Sequence, residues 1–459
     1  MRFSMKRYYL SPFLIYFNSN DSIILFNQIN HAIIEVNKDL WNKLLDYIND
    51  PSVRLADQEL IKLIDDLKKL NILFDYDINK YKHNIIEFRF NTLTNYNGMS
   101  IWFAISGKCN FACPYCYQTY RKDGEIINDK RVDKFINFVK KYVDQNNIRK
   151  IQLVYYGGEP LLAFNEIIKI HNELVNIKLN KNISLEEIII TNGSLLTEDK
   201  LEKLVELSDL SPIGIQITID GMKEVMDKRR PLASGGSSFN LVYNNFIKLV
   251  EKYPFDIALR SNVNYDNIES VRKLLLKIKE DLGDLVDKVV FFPHWIYETQ
   301  EVYMKNEYYL PEVSQAEAME LIKLELFAQE LGFKITPAYS HGPCTYVAKH
   351  GYAIDEFLRV YKCPGYLYTP KYFGIITDDG STKITNPQYL IEAFGEIKKC
   401  YLNCPVGALC YGGCRAMKHC PKDEILTYVN TDLGKKVLLT HFIKKYGDED
   451  GRNKKANNI

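Results

Sequence analysis

The sequence predicts an α/β protein: a partial (β/α)6 TIM-like barrel, with a small α+β unit before it and a cysteine-rich region after it. Three observations carry this. From residue 100, short β-rich apolar runs alternate with amphipathic helical stretches, which implies a parallel sheet with right-handed crossovers. Six such strand–helix units can be counted, short of the eight that close a full barrel. All ten cysteines of the 459 residues fall in two groups, at 109–116 and 344–420.

In chain order, Phe13–Phe17 and Ser22–Phe26 are β-rich runs joined by Asn-Ser-Asn-Asp, the composition of a hairpin turn. Ile33–Ile48 carries Ile34, Val36, Leu40, Trp41, Leu44 and Leu45 at helical spacing and predicts a helix. Leu60–Leu70 predicts a second helix, and Ile72–Phe74 an edge strand. Residues 76–98 are polar and Asn-rich, as in a linker. Strands are then expected at Ile101–Ile105, Ile151–Tyr156, Ile188–Thr191, Ile213–Ile219, Ile257–Val263 and Val289–Phe292. Helices are expected near 130–146, 164–178, 198–208, 239–252 and 268–281, with a further one at 315–331. Residues 340–425 are rich in Cys, Gly and Tyr with little periodicity, so a core there calls for a metal staple. Residues 431–446 read as a closing helix and 447–459 as a polar, frayed tail. The expected domains are 1–90, 96–310, a bridging helix in 311–340, 341–430, and a C-terminal helix and tail in 431–459.

Charge narrows the function. Lys+Arg is 59 against Asp+Glu 58, which removes the electrostatic argument for a nucleic-acid partner. No apolar run reaches the 18 or so residues a bilayer span needs, so no membrane is expected. The basic start, Met1 to Tyr9, is followed by Asn and Asp rather than an apolar stretch, which rejects a signal peptide. The expected location is the cytoplasm. There thiols stay reduced, and clustered cysteines point to metal rather than disulfides. The blander alternative is buried, inert cysteine.

Cys109-Asn-Phe-Ala-Cys113-Pro-Tyr-Cys116 follows the first barrel strand, and ligand sites of parallel barrels lie at strand C-termini. Three thiolates on a [4Fe–4S] cube leave one iron open. That iron can chelate the amino and carboxylate groups of S-adenosylmethionine (SAM), and the radical chemistry then belongs to the cofactor. A closed zinc site wants four ligands, and no nearby fourth is evident.

The triplet, with Tyr115 before its last Cys, resembles the signature of the radical SAM superfamily. Tyr156-Gly157-Gly158-Glu159-Pro160 after the second strand is similar to the Gly-Gly-Glu that holds the SAM amino group there. Thr218-Ile219-Asp220-Gly221, followed by Asp227, Arg229 and Arg230, resembles the S-x-D-G…H-D…R-P run of peptide-modifying members. Thr218 stands where Ser is usual, and Met226 where His is usual. The resemblance implies that Tyr115, Gly157, Gly158, Glu159, Pro160, Asn192, Thr218, Asp220 and Arg260 bind the cofactor. It gives no catalytic acid or base.

The other seven thiols run Cys344, Cys363, then Cys400-x3-Cys404-x5-Cys410-x3-Cys414-x5-Cys420. This resembles the SPASM domain, which carries two auxiliary [4Fe–4S] clusters, making three with the SAM-binding one. Here the first gap of the core spacing is three rather than two, and Leu358 occupies the place of the family's Gly five residues before the second Cys. The family's crossed pattern implies one cluster on Cys400, Cys404, Cys410 and Cys420. It implies the other on Cys344, Cys363 and Cys414, with water, substrate or a side chain such as His341 as fourth ligand. An open iron there would suit a substrate thiolate, soft on soft; electron transfer is the alternative. A zinc ribbon is the other reading of the region, although seven thiols divide poorly among four-thiolate sites.

The N-terminal order resembles the winged-helix-like PqqD-type element that binds a precursor's leader peptide, by strand addition at a sheet edge. A structural cap over the barrel is the alternative. Taken together, the chain is expected to be a radical SAM/SPASM peptide maturase: hydrogen abstraction from a precursor peptide, then oxidative cross-linking, with a thioether from Cys sulfur as leading product. Its electron donor would be a flavodoxin or ferredoxin. The alternatives are a carbon–carbon or aromatic cross-link, an anaerobic sulfatase (formylglycine) maturase, a peptide epimerase, and a non-catalytic metal-stapled peptide binder.

Overall fold

The structure is a computed structural model that describes residues 7–18, 21–50, 57–76, 79–84, 87, 91, 97–118, 124–298, 308–310, 312–336, 344–395, 404–410, 414, 416, 420–446 and 454–455. In the N-terminal unit, strands β1 (Leu14–Asn18), β2 (Ser22–Asn27) and β3 (Ile33–Asn37) pair antiparallel. Two residues of the expected hairpin turn, 19 and 20, lie outside the described residues. The expected helix over 33–48 is corrected. Its first five residues are β3, with Ile33, Ile34 and Val36 buried and Glu35 exposed, and helix α1 is Lys38–Asn49. The β-branched residues favour the strand. Asn37 then accepts from the Asp39 amide at 2.8 Å and starts the helix there. Asp57 caps α2 (Gln58–Lys69) in the same way, and Leu25, Trp41, Leu44, Leu63 and Leu67 form the shared core. Leu73–Phe74 pairs antiparallel with Tyr9–Leu10.

The central sheet has the alternation expected of it. Its strands and helices are β4 (Gly98–Ser106), α3 (Asp129–Asn146), β5 (Lys150–Gly157), α4 (Phe164–Lys181), β6 (Ser184–Thr191), α5 (Glu198–Ser208), β7 (Ile213–Thr218), α6 (Phe239–Lys252), β8 (Asp256–Val263), α7 (Ile268–Leu282) and β9 (Val289–Trp295). The six strands lie side by side in sequence order, all parallel. A short β10 (Lys334–Ile335) extends the sheet past β9, after helix α8 (Gln315–Glu330).

Each strand alternates. Phe103, Leu153, Ile189, Ile215, Leu259 and Phe291 are fully buried core residues; Phe103 stacks on Phe135 of α3 at 4.0 Å. Tyr156, Ile190, Gln216, Arg260, Asn262, Phe292 and His294 project from the other face and are partly exposed. A charged group also lies among the core residues: Glu187 of β6 accepts from Tyr155 at 2.6 Å and contacts His171 Nδ1 at 2.5 Å.

The cysteine-rich region contains strands that its composition did not predict. β11 (Gly351–Asp355) lies parallel to β4, with Ala104 opposite Asp355. β12 (Arg359–Tyr361), β13 (Gly374–Ile376) and β14 (Thr382–Ile384) continue antiparallel. The result is one large mixed sheet of eleven strands. Strands of three to five residues carry too few positions to show a period. Helices α9 (Pro387–Gly395), α10 (Lys422–Asn430) and α11 (Asp432–Tyr446) follow. Within the expected tail, Lys454–Lys455 pairs in parallel with β3. Among the described residues no helix is long and apolar enough to cross a membrane.

Candidate active site at the strand ends

The loop after β4 carries Cys109, Cys113 and Cys116, all partly buried. Its backbone is fixed by the next strand. The Gly158 amide donates to the Ser106 carbonyl at 2.8 Å and the Glu159 amide to the Lys108 carbonyl at 2.9 Å. Glycine is required for this approach. Gly157 has φ +132°, and a Cβ on Gly158 would stand 2.2 Å from the Lys108 oxygen and 3.1 Å from Cys109 Cβ. The Phe111 amide donates to Cys109 Sγ at 3.4 Å. The loop's far side is tied by Ala112 N to the Pro231 carbonyl at 2.9 Å.

Glu159 is fully buried, and burial raises its pKa above the ordinary carboxylate value. One oxygen accepts from Thr191 Oγ1 at 2.7 Å and the Leu161 amide at 3.0 Å; the other accepts from the Asn192 amide at 2.8 Å. Glu159 thus joins the β5 and β6 ends. Pro160 is buried in the short turn that follows. The Asn192 side chain donates to Asn110 Oδ1 at 2.8 Å, which returns the bond network to the cysteine loop. Asn110 also donates to Ser194 at 2.8 Å.

Tyr115 is held by a second network. Its hydroxyl donates to Asp220 Oδ2 and accepts from Arg230 Nη1 at 2.7 Å. Burial pushes the phenol well above its usual range. Asp220 Oδ1 accepts from the Asn262 amide at 2.9 Å. The neighbouring Arg229 donates to Asn264 at 2.7 Å and Asp266 at 2.9 Å, with its guanidinium over the rings of Tyr115 and Tyr308. Arg260 reaches Asn262 Oδ1 at 2.9 Å and lies over Phe292. In the β7–β8 register Arg260 stands opposite Thr218.

Of the nine expected cofactor contacts, Gly158, Glu159, Asn192, Tyr115 and Asp220 take part in these two networks, and Gly157 and Pro160 flank Gly158 and Glu159 in the chain. Arg260 joins the second network through Asn262, with Thr218 opposite it on β7.

In the second thiol set, Cys363 and Cys414 pack into one cluster with Tyr361, Tyr366 and Ala416. Burial, then the proximity of Cys414 and Cys344, pushes the Cys363 thiol up. Cys404 and Cys410 pack instead against the main core, and Cys420 is exposed. Cys400 and His341 lie outside the described residues. The Gly365 amide donates to Cys363 Sγ at 3.3 Å. Leu358, in the family's glycine position, has φ +65° while nearly fully buried.

The donor chemistry fits iron–sulfur ligation: thiols only, with amide N–H bonds to two of the sulfurs. Among the described residues no three Cys, His, Asp or Glu side chains converge tightly enough for a single ion. A cube needs no such convergence, because each iron takes its own thiolate.

Sequence reasoning missed several groups here. Tyr117 shares a 2.7 Å hydroxyl contact with Tyr156 and donates to the Pro364 carbonyl at 3.4 Å, spanning the two thiol regions. His294 points from the same face as Asn262; desolvation by the groups packed around its ring, then Arg260, lowers its pKa to about 3 and keeps it neutral. Only the tyrosine directly after Cys116 could have been noticed in the sequence.

The Radical SAM superfamily pattern matches residues 103–275, so the chain carries a radical SAM domain. An uncharacterized protein of Methanocaldococcus jannaschii is 31% identical over 174 residues, 38% of this chain and 56% of that one. The serine-type anaerobic sulfatase-maturating enzyme of Bacteroides thetaiotaomicron is 28% identical over 171 residues, 36% of this chain and 39% of the enzyme. The chain therefore spans about half or less of these curated relatives. Among solved structures, native anSMEcpe with bound AdoMet and Cp18Cys peptide is similar at TM-score 0.55 and 19% identity, over 76% of this chain and 99% of that one. That likeness is one of fold.

Proposed function

We propose that this chain is a radical SAM peptide maturase. One observation supports it most: the three-thiol loop, Gly157-Gly158-Glu159 and the Tyr115–Asp220–Arg230 network meet at neighbouring C-terminal strand ends. A [4Fe–4S] cluster held by Cys109, Cys113 and Cys116 would supply reductive cleavage of SAM to methionine and a deoxyadenosyl radical. The chain's own residues bind and orient. Glu159 is the carboxyl group beside the thiol loop, a group suited to receive an ammonium. Asn192, Thr218 and Arg260 offer polar contacts along the adjoining strands, and Tyr115, fixed by Asp220, lines the loop. Cys344, Cys363 and Cys414 would hold one auxiliary cluster, and Cys400, Cys404, Cys410 and Cys420 the other.

The substrate is a ribosomally made precursor peptide whose leader adds to the N-terminal sheet. The product is an oxidative cross-link, a thioether from Cys sulfur first. The electron donor is a flavodoxin or ferredoxin, and the enzyme is cytoplasmic. A second reading, formylglycine formation on a sulfatase, draws support from the sulfatase-maturating relative.

The test is anaerobic co-expression with the small peptide encoded beside the gene, followed by intact mass. Loss of two hydrogens per modified site, abolished by Cys113→Ala, is expected. An unchanged peptide, together with conversion of a sulfatase Ser or Cys to the aldehyde, would replace cross-linking by the second reading.

A further inference from the structure

The strands on either side of β4 reach the thiol loop differently. On one side stand the Gly158 and Glu159 amides, described above. On the other stands β11, parallel to β4 with its end at the same level. The residue after β11 is Glu356, which is fully buried. Its Oε1 accepts from the Glu125 amide at 3.2 Å, and the Glu125 carbonyl accepts from the Gly107 amide at 2.8 Å. Gly107 and Gly124 lie back to back. A Cβ on Gly107 would stand 2.2 Å from Glu356 Oε1 and 2.6 Å from Gly124 Cα. Gly107 precedes the three thiols and Gly124 follows them, so the Glu356–Glu125 bond and the Glu125–Gly107 bond act in series to tie the two ends.

The turn that presents Glu356 is itself fixed. Asp355 accepts from the Phe357 and Arg359 amides at 3.1 and 3.0 Å, from Arg359 Nε at 2.6 Å and from the Tyr361 hydroxyl at 2.9 Å. The Leu358 amide closes the turn onto the Asp355 carbonyl at 2.8 Å. This rigid turn lies between β11 and the strand that leads to Cys363.

We propose that Glu356 is a positioning residue for the Cys109–Cys116 loop, through which the cysteine-rich region sets the geometry of the three thiols. Its relevance to catalysis rests on the radical SAM reading. The contact itself does not, so the test separates the two.

Amide hydrogen exchange is measured by mass spectrometry on the full chain without added iron, for wild type, Glu356→Ala and Glu356→Gln. Alanine removes the acceptor, and exchange over Gly107–Gln118 and at Glu125 should rise about tenfold, the loss of one hydrogen bond to a buried carboxyl. Exchange in β5 and in the N-terminal unit should not change. Glutamine keeps an oxygen acceptor and should restore the wild-type pattern. If the alanine variant does not fold, Glu356→Asp, one methylene too short to reach, takes its place with the same expectation. Unchanged loop exchange, a rise spread over the whole sheet, or a glutamine variant as loose as the shortened one would each overturn the proposal. Failure of SAM cleavage with a positive exchange result would overturn the function but leave the contact standing.

Discussion

The two thiol regions are assembled by opposite means. Cys109, Cys113 and Cys116 share one short loop, held by backbone bonds to the Gly158 and Glu159 amides and to the Pro231 carbonyl. The second set spreads from Cys344 to Cys420, with Cys363 and Cys414 brought together by packing against Tyr361 and Tyr366. The first site is therefore a property of consecutive residues docked on strand ends. The second is a property of the tertiary fold, and it depends on a turn with Leu358 at φ +65°. A locally encoded site should fail at single residues, whereas a site built by packing should fail with the stability of its hairpin.

The largest effect tests the first half of that contrast. Cys113→Ala should reduce SAM cleavage to background while iron on the second set persists, read by iron content and EPR of the reconstituted protein. Loss of all iron would mean that the two regions are not independently assembled.

Glu159→Gln comes next. It should weaken SAM binding by roughly 10–100-fold, the range of a charge-assisted hydrogen bond, measured by equilibrium dialysis. Retained affinity would limit Glu159 to its bonds with Thr191, Asn192 and Leu161.

A pH dependence sharpens the contrast at the seam between the regions. Burial, then Asp355, raises the Glu356 pKa to about 7; Glu125, Arg131, Arg359 and Tyr368 also lie around this turn. An unfolded Glu titrates near about 4.3. Between the two values the folded state holds the extra proton, so stability falls as pH rises through that window. The full window amounts to about 4 kcal/mol. Urea melts from about pH 4.5 to 7 should show this slope in wild type and lose it in Glu356→Gln. A parallel slope in both would place the titration elsewhere.

The smallest effect concerns Leu358. Leu358→Ala and Leu358→Gly both lose its buried side chain, but only glycine relieves the left-handed backbone. The glycine variant should be more stable than the alanine variant by about 1 kcal/mol, again by urea melts. Equal stabilities would mean that the turn stores no strain.

The same division governs what the sequence makes legible. The six parallel strands, their helices and the thiol loop were legible because a repeating strand–helix period and a three-thiol spacing are local signals. The start of α1 is ambiguous in the sequence because Ile34 and Val36 fit both a helical spacing and a strand alternation; Asn37 decides between them by capping. Strands β11 to β14 were invisible at three to five residues each. Glu356 was invisible for a related reason. Its importance comes from the parallel pairing of β11 with β4, between residues about 250 apart in sequence, and no motif records that.

The most direct measurement is SAM cleavage. The chain is reconstituted anaerobically with iron and sulfide, reduced, and incubated with SAM, and the products are separated by chromatography. Formation of 5′-deoxyadenosine and methionine, absent in Cys113→Ala, is predicted. Intact SAM in the presence of a reduced cluster on Cys109, Cys113 and Cys116 would contradict the radical SAM assignment of this site.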